Sequence, residues 1–384
     1  MSPSKLNSFP LLFFLLLSQA IDFSHSQSTP DLCHPHDKRV LLRIKTELGH
    51  PSSFGSWDPN TDCCFWLNIQ CNDQGHVTSL SITEANDIHG PIPPFLDRLP
   101  SLTGLYISNV PNLYGPIPSY LSKLTNLISL VISGTKVTGP IPSFLGQFTN
   151  LAQLELSSNK LSGPVPYFLG QLKRLTYLDL SSNGLTGVLP PTLAQLANLA
   201  LLRLDSNKLF GSIPKYLARL HNLNSIYFDS NSLSGSIPTS LGQMPNLTSL
   251  SLSNNNLYGP IPHTLGRTNL FTLNLAHNKL SGDASFLFDK ANTARIDIRV
   301  DYNLLKFDFS NVDLGRNLAG FNISHNMIYG SLPKRLGQVH VDSIDVSFNQ
   351  LCGPIPNGRR FKRVDPTIFS HNKFLCGGPL QACK

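Results

Sequence analysis

"LTYLDLSSNGLTGVLP" (residues 175–190) places Leu175, Leu178 and Leu180 in an LxxLxL frame, closes that frame with Asn183, and ends on Gly187 and Pro190. The frame recurs along the chain in twelve units, with first anchors at Val77, Leu102, Leu127, Leu151, Leu175, Leu199, Leu223, Leu247, Leu270, Arg295, Leu318 and Val341. Steps of 23–25 residues between anchors match a leucine-rich repeat. The Leu178/Leu180 alternation reads as a short strand with one buried face. The recurring asparagine (Asn159, Asn183, Asn207, Asn231, Asn255, Asn278, Asn303, Asn326, Asn349) is expected to satisfy backbone groups where each coil turns. Most units continue as NxLxGxIP, as in "NKLSGPVP" (159–166), where Gly and Pro set the remaining bends. The expected fold is therefore an α/β leucine-rich-repeat solenoid: a single curved right-handed body whose concave parallel sheet has about twelve strands. At a strand spacing of ~4.8 Å that face would run about 50–60 Å. The tenth unit, "RIDIRVDYNLLKFDF", lacks GxIP and puts Arg295 at an apolar anchor.

Outside the repeats the chain reads as follows. Residues 1–26 carry Lys5 and the apolar run "FPLLFFLLL" (9–17), too short for a bilayer span of about 20 residues and read as a signal peptide. Cleavage fits after Ala20 or after Ser26, with the later site preferred. Residues 27–76 form an N-terminal cysteine cap, 77–356 the repeats and 357–384 a C-terminal cap. Pro35-His36-Asp37 can start a cap helix with apolar positions Val40, Leu41, Ile44 and Leu48, ended by Gly49. Trp57 and Trp66 are expected to cover the open core of the first repeat. No later stretch is apolar enough for membrane insertion, so the chain reads as secreted.

The 384 residues are 41% hydrophobic and 14% charged, with 27 Gly and 29 Pro, which fits turns at regular intervals rather than disorder. The formal charge is +7. In a secreted protein that balance favours acidic surfaces such as an acidic polysaccharide, or serves only solubility. Nucleic acid is excluded as a partner, since no basic face is interleaved with stacking aromatics. Seven cysteines sit at the two ends, where an open array lacks a neighbouring layer; export favours disulfides. No His/Cys spacing fits a zinc site, so no metal and no cofactor are expected. The chain also lacks a GxSxG elbow, an HExxH helix and a GxxxxGK[ST] loop, and an open curve offers no pocket to shift a carboxyl pKa. It reads as a binding protein, not an enzyme.

"LCHPHDKRVLLRIKTEL", "SWDPNTDCCFW", the LxGxIP repeats, "DASFLF" (283–288) and "LCGGPLQACK" resemble plant polygalacturonase-inhibiting proteins over nearly the whole mature chain. The resemblance implies secretion to the plant cell wall, association with pectin, and inhibition of pathogen endopolygalacturonases through the concave face. It also implies the pairs Cys33–Cys63, Cys64–Cys71 and Cys376–Cys383. Family members typically have ten repeats where this chain has twelve. They also carry a Cys-Leu-Cys-Gly run where Phe374-Leu375-Cys376-Gly377 stands here, which leaves Cys352 free or bridging another chain.

Residues flanking the strand leucines point to the concave surface. The position between the two leucines reads Ser81, Tyr106, Val131, Glu155, Asp179, Arg203, Tyr227, Ser251, Asn274, Arg299, Asn322 and Asp345. The next outward position is mostly Ser, which is repeat consensus; among its exceptions, Asp205 and Asp229 fall beside the acids, tyrosines and arginine of the fourth to seventh units. Glu155, Tyr177, Asp179, Arg203, Asp205, Tyr227 and Asp229 thus form a candidate partner-binding patch, since Tyr and Arg anchor interfaces and acids suit a basic partner. Asp297, Arg299, Asp301 and Tyr302 on the irregular tenth unit are a secondary candidate. Arg359, Arg360, Lys362 and Arg363 in "RRFKR" are candidates for binding pectin. Asn246 and Asn322 are the acceptor sequons for N-glycans. The competing functions are polygalacturonase inhibition, recognition of a peptide or receptor ectodomain as a co-receptor, and ice binding through the Ser/Thr column.

Overall fold

The computed structural model describes residues 32–289, 296–358, 361 and 364–383. The proposed signal peptide, Arg295 and the four basic residues of "RRFKR" lie outside them. Residues 32–384 belong to one compact unit.

The cap starts with a helix over Pro35–Glu47 that buries Val40, Leu41 and Ile44, and Gly49 follows it in the left-handed region at φ 76°. Trp57 is fully buried, stacked on Phe54 at 4.0 Å and facing Trp66 at 5.6 Å between ring centroids. Their indole N–H groups donate to Leu67 O and Thr61 Oγ1, so both rings bury area without orphaning a donor.

Each of the twelve units then places one strand in a single parallel sheet, from Val77–Thr83 in the first coil to Ser343–Asp345 in the last. A thirteenth strand, Ile69–Cys71, pairs antiparallel with the first and covers the edge that the array would otherwise leave open. The sequence pattern does not announce that strand. It also misses a second, nine-stranded parallel sheet running from Tyr114–Pro116 to Leu304–Leu305. This sheet is built from the NxLxGxIP segments. Gly163, for example, holds φ at 81°, and Pro166 sets up the short 3-10 turn Tyr167–Gln171.

The irregular tenth coil ends the second sheet. Phe307-Asp308-Phe309-Ser310 stands where GxIP would run, and past Leu304–Leu305 the strand pairing gives way to an isolated bridge, Asp308 to Tyr329. Beneath this break the leucine core gives way to phenylalanine. Phe288, Phe309 and Phe321 meet edge to face at 5.5–6.1 Å. A separate three-stranded sheet of Tyr329–Ser331, Asn349–Pro354 and Asn372–Cys376 closes the C-terminal end.

The asparagine ladder does the work its position implies. Asn207 Nδ2 donates to the carbonyls of Leu180, Leu204 and Asp205 at 3.0–3.2 Å, while its Oδ1 accepts the Leu185 N–H at 3.0 Å. The pattern repeats at Asn183, Asn231, Asn255 and Asn303. Cys33–Cys63, Cys64–Cys71 and Cys376–Cys383 are disulfides. Cys352 is free, and its register partner on the adjacent strand is Phe374.

Candidate functional site

The fourth to seventh coils supply the strands Gln153–Glu155, Tyr177–Asp179, Leu201–Arg203 and Ser225–Tyr227. Strict parallel register puts Glu155, Asp179, Arg203 and Tyr227 in one row across them. Tyr177 stands in the neighbouring row, opposite Gln153 and Leu201. The structure therefore brings all seven patch residues together on one face.

They do not share one environment. Tyr177, Arg203 and Tyr227 are part-exposed, and the Arg203 guanidinium lies 5.4 Å from the Tyr227 ring centroid. Asp179 was expected to be free on the surface and is instead 3% exposed. Its Oδ1 accepts the Ser181 N–H at 2.9 Å and the Ser181 hydroxyl at 2.6 Å. Its Oδ2 receives a long bond from the Tyr177 hydroxyl at 3.5 Å and lies 3.7 Å from Arg203 Nη1. The physical reason is crowding: a short side chain between two long ones on a concave sheet is roofed by them. Asp229 is tied down likewise, accepting from the hydroxyls of Ser251 and Ser253 and from the Ser253 N–H. Asp205 meets Arg203 Nε at 3.3 Å. The accessible surface is thus a patch of Tyr177, Arg203 and Tyr227 standing on a floor of fixed carboxylates, with Glu155 at its edge.

The charges respond to this packing. Burial raises the Tyr177 hydroxyl pKa, helped by Asp179 and Glu155. Burial also raises Asp205, against the pull of Arg203. Desolvation works against the Arg203 charge, yet Asp179 and Asp205 outweigh it and raise its pKa.

In the tenth coil, Arg299 pairs with Asp297 at 3.1 Å. Asp301 is buried, and that burial raises its pKa against His277 and Arg299. Tyr302 belongs to a feature that the sequence reading missed. His277, Tyr302, His325, Phe348 and His371, one per coil, stack face to face with ring centroids 3.8–4.2 Å apart. Each precedes the ladder asparagine or its C-terminal equivalent and holds a left-handed φ of 51–54°. In earlier coils the same column is Ser158, Ser182, Ser206 and Ser230. Reading the column before the asparagine would have found the stack.

Asn246 is exposed, with its Nδ2 donating to His221 O. Asn322 is half-buried on the concave face, its Oδ1 accepting the Ser324 N–H. Among the described residues no helix is long and apolar enough to cross a membrane.

Family models for the leucine rich repeat N-terminal domain match residues 34–72, and models for the leucine rich repeat match 149–209, 222–244 and 246–268. Polygalacturonase inhibitor 2 of Arabidopsis thaliana is 43% identical over 377 residues, covering 97% of this chain and 99% of that protein. Among solved structures, a plant ice-binding protein superposes with a TM-score of 0.58 at 35% identity, over 92% of this chain and 98% of its own. The Arabidopsis receptor kinase HAESA ectodomain, solved with a peptide hormone, superposes at 0.68 with 28% identity. That match covers 83% of this chain and 58% of the ectodomain. With its N-terminal cap domain, its repeat and a relative matched end to end, the chain belongs to the polygalacturonase-inhibitor family of extracellular leucine-rich-repeat proteins.

Proposed function

We propose that this protein inhibits a secreted endopolygalacturonase by laying the Tyr177–Arg203–Tyr227 patch over the enzyme's substrate cleft. The observation that carries the reading is the fixed floor under that patch. Asp179 and Asp205 flank the Arg203 guanidinium, so the anchors are held before a partner arrives and lose little freedom on binding. An enzyme that binds a polyanionic substrate presents a basic cleft, and Glu155 and Asp205 complement such a surface. The family relatives are named as inhibitors of an enzyme, not as enzymes. Measuring release of reducing ends from polygalacturonate by fungal endopolygalacturonases, with wild type and with Tyr177→Ala/Tyr227→Ala, tests this. Intact inhibition by the double variant would remove the patch from the mechanism. Absence of inhibition by wild type would favour peptide or co-receptor recognition.

Retention in the plant cell wall is assigned to pectin binding by Arg359, Arg360, Lys362 and Arg363, through point-charge attraction that salt screens. Replacing the four with Gln is expected to weaken retention on polygalacturonate at low salt. A glycan on Asn322 would cover the C-terminal part of the curve and confine a partner to earlier coils, which mass spectrometry of the secreted protein checks.

Similarity to an ice-binding protein makes ice a second reading. The concave serine column does not favour it: Ser133, Ser157, Ser181, Ser253, Ser324 and Ser347 are all buried, so their hydroxyls cannot meet an ice lattice. Thermal hysteresis in wild type would support it through another face.

A further inference from the structure

The N-terminal cap holds a cluster that partner binding does not use. Asp37, in the first turn of the helix Pro35–Glu47, is 1% exposed. Its Oδ2 accepts the Val77 N–H at 2.9 Å and lies 3.2 Å from His76 Nδ1. Its Oδ1 is buried with no hydrogen-bond partner. The nearby nitrogen is His34 Nδ1 at 3.8 Å, which already accepts the His36 N–H at 3.3 Å. The His34 and His76 rings face one another at 4.1 Å between centroids, and their side chains are 41% and 28% exposed. One ligand atom from each of the three residues lies within 4.8 Å of the others.

A buried carboxylate oxygen without a partner carries a desolvation cost that a bound cation would remove. Two imidazoles and one carboxylate form a donor set suited to zinc and its neighbours rather than to calcium or magnesium. Bond lengths of about 2.0–2.2 Å put neighbouring ligand atoms of a tetrahedral ion about 3.4 Å apart. Here His76 Nδ1 lies 3.2 Å from Asp37 Oδ2 and His34 Nδ1 3.8 Å from Asp37 Oδ1, so each imidazole faces a different oxygen of the one carboxylate, and coordination by His34 Nδ1 would take its lone pair from the His36 N–H. The nearby grouping of Cys33, Asp62, Cys63 and Cys64 offers no thiolate, because its cysteines are in disulfides. The Cys33–Cys63 bridge instead anchors the chain next to His34.

We propose that His34, Asp37 and His76 form a site for a divalent transition cation of the zinc class, with water completing the shell from the open side. The ion would tie the helix start to the first repeat strand at Val77, coupling metal binding to closure of the cap. No short metal motif announces the site, because two ligands lie three residues apart and the third follows 39 residues later.

The test is calorimetric titration of zinc chloride into the secreted protein, produced without a polyhistidine tag. The expected result is one site per chain, weakened at least tenfold in His34→Ala and in His76→Ala. Zinc should raise the melting temperature of wild type and not of these variants, while His277→Ala, in the exposed ring stack, should bind like wild type. Absence of stoichiometric binding overturns the proposal. So does binding that survives in the His34→Ala/His76→Ala double variant.

Discussion

The fourth to seventh coils and the ninth to twelfth share one concave sheet and one asparagine ladder and use them differently. In the earlier group the column before the ladder asparagine is serine, and the chemistry sits on the concave strands as tyrosine and arginine over fixed carboxylates. In the later group the same column carries His277, Tyr302, His325 and Phe348, continued by His371, stacked along the rim. The stacked rings occupy one another's faces and present mainly edges outward. The later coils thus use aromatic area to bind coil to coil, while the earlier coils leave Tyr177 and Tyr227 part-exposed on the concave face. A repeat fixes where side chains point, and neighbours decide whether they are free.

That contrast can be tested in order of expected effect. The asparagine ladder should be equally necessary in both regions. Asn207→Ala and Asn303→Ala each orphan buried carbonyls and one N–H, and each is expected to cost about 2–4 kcal/mol, read by chemical denaturation. A large difference between the two would mean that the coils are not equivalent frameworks.

Tyr177→Ala should separate binding from folding. It is expected to weaken polygalacturonase inhibition at least tenfold, about 2 kcal/mol for a central aromatic, with stability changed by roughly 0.5 kcal/mol or less. Asp179→Asn should behave otherwise, lowering the melting temperature: an amide can keep Oδ1 accepting from Ser181, but its NH2 replaces the Oδ2 that accepts from the Tyr177 hydroxyl and faces Arg203. If Asp179→Asn keeps full stability, the floor is not structural.

Tyr302→Ala is the mirror experiment. It removes two ring contacts, at 4.2 and 3.8 Å, each worth about 0.5–1.5 kcal/mol. Stability should fall and inhibition stay unchanged. Lost inhibition with intact stability would move the binding surface to the C-terminal coils.

The smallest effect is a pH dependence. Burial holds Asp205 above its ordinary value in the fold, net of Arg203. Its neutral form is therefore favoured, and the stability this brings is lost as pH rises through the folded value. Asp205→Asn should melt slightly higher than wild type at pH 7, and the gain should vanish as pH drops below about 4. A gain that persists at low pH would assign the effect to packing.

The repeat was legible in the chain because one spacing governs every coil: leucines at fixed intervals bury one face, and an asparagine closes each turn on carbonyls of its own coil and of the one before it. The strand residues Glu155, Tyr177, Arg203 and Tyr227 could be placed on one face from that spacing alone. What spacing could not convey is what lies on top of what. Asp179 and Tyr177 point the same way, yet only packing against Arg203 and Ser181 buries the aspartate. The second sheet depends on GxIP segments lining up between coils, and the Phe288–Phe309–Phe321 core on a break in that alignment. The His34–Asp37–His76 cluster needs the helix start folded back onto Val77, a contact between distant positions that no periodicity encodes. Local pattern sets the direction of each side chain, but exposure, charge and coordination are properties of neighbours, and neighbours are a tertiary fact.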